Sequence, residues 1–268
     1  MERKEVRLRG GTLAYWEAGS GPPLVFVHGV FVNHLLWSDL IPLLSDRYRC
    51  IAPDWPLGSH SIPYDSDLSP FGVADMIDEL SGELGLEKPT LVGNDTGGAL
   101  CQMAVVRHPE LASRMVLTNC DAYDKFPPQP FTYLVWIPYI PGATTVLAQS
   151  MRLRINRRLP IAYGGLSKRL APETEKAFAE PVIKNKDVRG DIKGFLRAAN
   201  KRDLMATAER YGSIQIPVTL AWGEDDRAFK IELAERMARD MPGAELHRIP
   251  DSKTLVPIDQ PARLAELI

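Results

Sequence analysis

Five short, largely apolar runs, at residues 24–27, 50–52, 90–93, 115–118 and 218–222, recur along the chain with helix-like stretches between them, and a more polar strand candidate at 245–249 follows. Such runs lack the polar alternation of a half-solvated strand, so they read as strands covered on both faces. Residues 6–9 and 13–17 add an opening hairpin around Gly10-Gly11, a pair whose conformational freedom suits a tight turn. Apolar residues at three-to-four spacing predict helices over 33–45, 71–84, 97–107 and 231–241, with a further helical pattern starting at Gln260. The expected fold is therefore α/β, a mostly parallel eight-stranded sheet with helices on both faces. A chain of 268 residues is long enough to give such a sheet a sizeable core.

Between residues 123 and 213 the pattern becomes helix-forming with no convincing strand. This stretch reads as an inserted helical cap, leaving 1–122 and 214–268 as the sheet-bearing core. Within it, residues 126–151 carry no charged side chain and would be long enough to span a bilayer. Prolines 127, 128, 130, 138 and 141 would break the hydrogen-bond ladder there, so a covering element over a pocket is the better reading. The adjoining segment 151–171 holds Arg152, Arg154, Arg157, Arg158, Lys168 and Arg169 and no acidic residue. It reads as a solvated helix face, with an anion-attracting entrance as the alternative.

Hydrophobic residues make up 45% and charged residues 25% of the chain, which excludes disordered and fibrous classes. A formal net charge of -2 gives no bulk attraction to nucleic acid or to an anionic membrane, and neither is expected as a partner. Three cysteines, Cys50, Cys101 and Cys120, sit in or beside apolar segments, as buried thiols do in a reducing cytoplasm. The charged N-terminus lacks the apolar stretch of a signal peptide. No metal or cofactor is expected, and the partner is a small-molecule substrate.

The chemistry concentrates at Gly93-Asn94-Asp95-Thr96-Gly97, where a strand runs directly into a helix. Glycines two before and two after the central residue permit a turn sharp enough to display Asp95 above the sheet edge. The helix N-terminus then directs its free N–H groups and the positive end of its dipole to the same spot. A helix-capping aspartate is the competing reading. Three other apolar runs also end in chemistry-bearing residues, in order: His28-Gly29-Val30, Pro53-Asp54 and Gly223-Glu224-Asp225-Asp226.

Together these four ordered motifs resemble the α/β-hydrolase family over nearly the whole chain outside the cap. The resemblance implies that Asp95 is the nucleophile, that the backbone N–H groups of Val30 and Thr96 form the oxyanion hole, and that Asp226 is the acid orienting a catalytic histidine. It also implies that His28 holds the oxyanion loop by hydrogen bonds. An aspartate at the elbow is similar to haloalkane dehalogenases and epoxide hydrolases, in which a carboxylate attacks an sp³ carbon and water then hydrolyses the alkyl ester.

The resemblance also exposes departures. Aligning the flanks of residues 249–261 puts Thr254 where the histidine base belongs, and a threonine hydroxyl does not accept a proton near neutral pH. Among the remaining histidines, His60 follows a strand end on a loop and is the candidate substitute acid or base. Thr96 and Val30 replace the halide-binding tryptophan and the asparagine or glutamate of the dehalogenases. Tyr133, Tyr139 and Tyr163 are the available counterparts of the cap tyrosines in epoxide hydrolases. Three functions stay open: hydrolysis of a small apolar compound with Asp95 as nucleophile or base; a lyase, isomerase or cyclase using Asp95 as general base; and a non-catalytic small-molecule receptor.

Overall fold

The computed structural model describes residues 1–64, 66 and 68–268. Its eight strands are β1 (Glu2–Leu8), β2 (Gly11–Ala18), β3 (Pro23–Val27), β4 (Arg49–Pro53), β5 (Thr90–Asp95), β6 (Arg114–Cys120), β7 (Val218–Gly223) and β8 (Ala244–Ile249). They form a single sheet in the order β1-β2-β4-β3-β5-β6-β7-β8. Only β2 breaks the parallel arrangement, pairing antiparallel with both β1 and β4. The opening hairpin turns at Arg9 and Gly10, with Gly11 already paired to Leu8.

The sheet separates two apolar cores, and strand parity explains the uninterrupted runs. Val25, Val27, Leu91, Met115, Leu117 and Leu220 face one core. Their neighbours Leu24, Phe26, Val92, Val116 and Ala221 face the other. Successive side chains of a strand point to opposite faces, so both parities must be apolar when both faces are covered. Each fully buried leucine or valine contributes roughly 1.5–3 kcal/mol. The cysteines are free thiols and buried, as expected.

Helices α1 (Pro70–Glu83) and α2 (Thr96–Arg107) pack against each other and connect the central strands. Between β6 and β7 lie α3 (Tyr133–Trp136), α4 (Ala143–Ser150), α5 (Arg154–Arg157), α6 (Tyr163–Leu166), α7 (Pro172–Lys184), α8 (Lys186–Ala198) and α9 (Lys201–Ala208). Three further helices, α10 (Ile231–Asp240), α11 (Val256–Asp259) and α12 (Pro261–Ala265), follow. No helix among the described residues is long and apolar enough to cross a membrane.

The expected helix over 33–45 is instead two short 3₁₀ turns, His34–Trp37 and Ile41–Leu43. Pro42 lacks the N–H that would bond four residues back, and its ring crowds the preceding turn. The closing helical pattern expected from Gln260 forms α12, with Gln260 as its cap and Pro261 at the first helical position, where a missing N–H costs nothing. The basic segment is in part the solvated face expected, with Arg152 and Arg154 exposed, and in part tied down by ion pairs. Arg157 and Arg158 pair with buried Glu175, Lys168 with Asp225 and Asp251, and Arg169 with Asp251.

Candidate active site

Parallel strands place their C-terminal ends along one edge of the sheet, where α/β sites form. On that edge β3 delivers His28, Gly29 and Val30, β5 delivers Asp95, β6 delivers Asp121, and the loop after β7 delivers Asp226. Asp95 has φ 54° and ψ -132°, a conformation that side-chain-bearing residues rarely adopt and that costs about 1–3 kcal/mol. The strain persists because the junction cannot relax. A Cβ on Gly97 would lie 2.0 Å from the Val27 carbonyl oxygen, and one on Gly98 would lie 2.4 Å from the Cys120 Cβ. A Cβ on Gly29 would meet Asp95 Oδ2 at 2.0 Å, so that glycine keeps the wall beside the carboxyl bare.

Asp95 precedes α2 but makes no capping hydrogen bond with its side chain. Its carboxyl group faces the backbone N–H groups of Thr96 and Val30, which favour the charged form. Burial opposes them and is the larger influence; with the charge of Asp226 nearby, it pushes the Asp95 carboxyl up to about 7. Asp95, Val30 and Thr96 are thus brought together as the sequence motifs require.

These residues form the polar floor of a cavity of about 400 Å³. Its walls are supplied by residues 126–151, including Phe131, Leu134 and Leu147, and by Leu159, Ile161 and Tyr163. The charge-free stretch therefore covers a pocket, as its prolines predict. No lysine, arginine or histidine lines the cavity among the described residues.

The histidines are held elsewhere. The Trp55 backbone N–H donates to His28 Nε2 at 3.0 Å, so the proton sits on Nδ1 and is donated to the Gly29 carbonyl at 2.9 Å. Burial pushes the His28 imidazole down to about 4, and the neutral ring ties the oxyanion loop to the segment that follows β4. His60 does not reach the cavity. It is buried, with Nε2 2.9 Å from Asp191 Oδ2 and Nδ1 accepting from the Gly58 N–H. This corrects the expectation of a substitute acid or base: the ring joins the core to α8. His34 bonds Asp54, His108 bonds Asp75, and His247 lies on β8.

Thr254 is fully buried, and its hydroxyl donates to Asp226 Oδ2 at 2.8 Å. Asp226 also accepts from Asn119 Nδ2 at 2.8 Å and, through Oδ1, from the Ala228 N–H at 2.8 Å. Burial pushes its carboxyl up to about 6. Asp226 and Thr254 thus meet as an acid and its partner residue do, but neither lines the cavity, and no imidazole lies between them and Asp95. The tyrosines are likewise engaged. Tyr133 donates to the Ile161 carbonyl at 2.9 Å, Tyr163 to the Phe31 carbonyl at 2.6 Å, and Tyr139 to the Arg197 carbonyl at 3.2 Å.

Two cavity-lining polar groups that each leave an oxygen unpartnered escaped sequence reasoning. Asp121 is buried one residue beyond β6, and it accepts through Oδ2 from the Thr96 hydroxyl at 2.9 Å. Its other oxygen, Oδ1, has no hydrogen-bond partner, and neither does the Thr144 hydroxyl on the cap side. A signal for Asp121 existed, since it ends an apolar run as Asp54 and Asp95 do.

Comparison with known proteins follows the geometry. The family model for the alpha/beta hydrolase fold matches residues 22–261. The chain is 26% identical to haloalkane dehalogenase 2 of Mycobacterium tuberculosis (strain ATCC 25618 / H37Rv), over 96% of this chain and 90% of that protein. It is also 26% identical to the cis-3-alkyl-4-alkyloxetan-2-one decarboxylase of Shewanella oneidensis, over 94% of this chain and 82% of that protein. Among solved structures, the epoxide hydrolase CorEH superposes with a TM-score of 0.82 at 17% identity, covering 99% of this chain and 96% of that one.

Proposed function

We propose that this chain, which belongs to the α/β-hydrolase fold family, is a hydrolase-type enzyme acting on a small, neutral, largely apolar organic molecule through Asp95. The observation that supports this reading is a buried carboxyl group, free of helix capping, on the floor of an apolar cavity and facing two backbone N–H donors. An anionic substrate would meet carboxyl groups and no cation, so a neutral one fits the lining.

In this reading the Val30 and Thr96 N–H groups hold one oxygen of the Asp95 carboxylate and leave the other to attack an electrophilic carbon. The same donors then stabilise the oxyanion formed when water adds to the resulting ester. Halide stabilisation by side chains at positions 30 and 96 is absent, which favours a leaving group other than halide. The helical stretch 123–213 is the cap that excludes bulk water from this chemistry, and the buried free thiols fit a reducing compartment.

A second reading is favoured by the histidine-free lining and by the relative named a decarboxylase: Asp95 acts as a base without forming an ester. Mass spectrometry after incubation with phenacyl bromide separates the two. A covalent label on Asp95, absent from Asp95→Ala, is expected for the nucleophile; an unlabelled Asp95 favours proton transfer.

A further inference from the structure

The cavity floor contains a second carboxyl group, and its surroundings give it chemistry of its own. Across the sheet, Asp95 lies opposite Cys120, so the next residue, Asp121, is carried to the same end of the adjacent strand. Both aspartates line the cavity. Thr96 joins them, directing its backbone N–H at Asp95 and its hydroxyl at Asp121 Oδ2, 2.9 Å away. Asp121 Oδ1 is buried without a partner, an arrangement a native protein rarely tolerates unless a ligand or reacting group completes it.

On this geometry we propose that Asp121 is a catalytic residue, a second carboxyl that carries the proton a histidine would otherwise carry for Asp95. The proposal rests on the reading of Asp95 as nucleophile. The titratable groups around Asp121 are Asp95, Cys120 and, beyond Asp95, Asp226. None is cationic, so two ionised carboxylates on this floor would repel each other with only neutral N–H and O–H donors to offset it, and one proton is retained between them. Burial first, then the charge of Asp95, pushes the Asp121 carboxyl well up, making it the protonated partner.

The proton inventory then closes. Asp95 forms a bond to the electrophilic carbon of an epoxide-like substrate as the carbon–oxygen bond breaks, and protonated Asp121 donates its proton to the departing alkoxide. Asp121, now a carboxylate, takes a proton from water whose oxygen adds to Asp95 Cγ. Collapse of that adduct expels the alcohol oxygen, which recovers the proton from Asp121. The products are the hydrated substrate, a protonated Asp95 and an ionised Asp121. Transfer of one proton from Asp95 to Asp121 restores the starting state.

Phenacyl bromide isolates the second half of this sequence: its bromide departs without needing an acid, and once Asp95 is esterified and uncharged Asp121 releases its proton to solvent and enters the hydrolysis as the carboxylate. Wild type is expected to acquire a transient Asp95 ester and release 2-hydroxyacetophenone. Asp121→Asn, near-isosteric, should acquire the ester and clear it at least about 100-fold more slowly. Clearance at the wild-type rate overturns the proposal. Carbon-13 NMR of the aspartate carboxyl groups supplies a second readout. The Asp121 signal should titrate above the ordinary carboxylate range in wild type and at lower pH in Asp95→Asn. An Asp121 signal that titrates in the ordinary carboxylate range and ignores that substitution also overturns it. Failure of wild type to label at Asp95, with the NMR result as expected, removes the nucleophile reading and the ester step built on it while leaving the proton-sharing pair intact.

Discussion

Asp95 is held in a state that favours reactivity over stability. The folded protein holds this carboxyl at about 7, whereas the unfolded chain releases the proton near 4. Between those values the native state binds a proton that the unfolded state has lost, so this group's contribution to stability falls as pH rises through the window and stays low above it. Asp95→Asn should therefore stabilise the protein more at pH 8 than at pH 5, by a few kcal/mol, as read by urea unfolding at both values. Labelling of wild-type Asp95 requires the carboxylate and should rise with pH with a midpoint near 7. Gly29→Ala should suppress that labelling at least tenfold, because the added methyl must displace Asp95 Oδ2. The display of Asp95 was legible in the sequence because two glycines and a strand end suffice to create it, whereas Val30 and Thr96 were reached only through the resemblance to the α/β-hydrolase family. Asp121 was not singled out, since ending an apolar run marks it only as a strand-end residue, and which strand lies beside β5 is a fact of topology that no local pattern carries.

At the scale of elements, the central strands were readable because burial on both faces imprints on every residue. The turns after β3 were not, because the apolar spacing of 33–45 suits a helix and only Pro42 opposes it. The loop after β8 shows a different limit. Alignment places Thr254, but the sequence cannot say that its hydroxyl meets Asp226 while its carbonyl accepts from Asn94 Nδ2 at 2.7 Å. Thr254→Ala removes one of the two side-chain donors to Asp226 Oδ2 in a fully buried setting, and should cost about 1–3 kcal/mol in chemical unfolding. In the cap, Glu175→Ala would leave Arg157, itself almost wholly buried, without its carboxylate. Loss of one partner from a buried pair typically costs about 3–5 kcal/mol, which thermal unfolding would register as an early transition.

Across the whole molecule, the helical stretch between β6 and β7, proposed above as the cap, is bonded to the sheet-bearing residues at several points. Tyr163 donates to the Phe31 carbonyl, Ser167 to Asp259 Oδ1 at 2.6 Å, Ser59 to the Phe178 carbonyl at 2.7 Å, and His60 meets Asp191. The covering stretch 126–161 has its tyrosine hydroxyls bonded within the cap instead. Leu159 and Ile161 both line the cavity and are 40% and 46% exposed, which marks its mouth. His60→Ala should lower thermal stability through the lost fastening, yet leave Asp95 open to the alkylating reagent. Ile161→Trp should slow labelling by that reagent and spare the smaller iodoacetamide. A roof pinned along one eave does not lift; guests enter and leave beneath its free edge, so the size of what this protein admits is set by a few aliphatic side chains at the threshold rather than by the chemistry at the hearth.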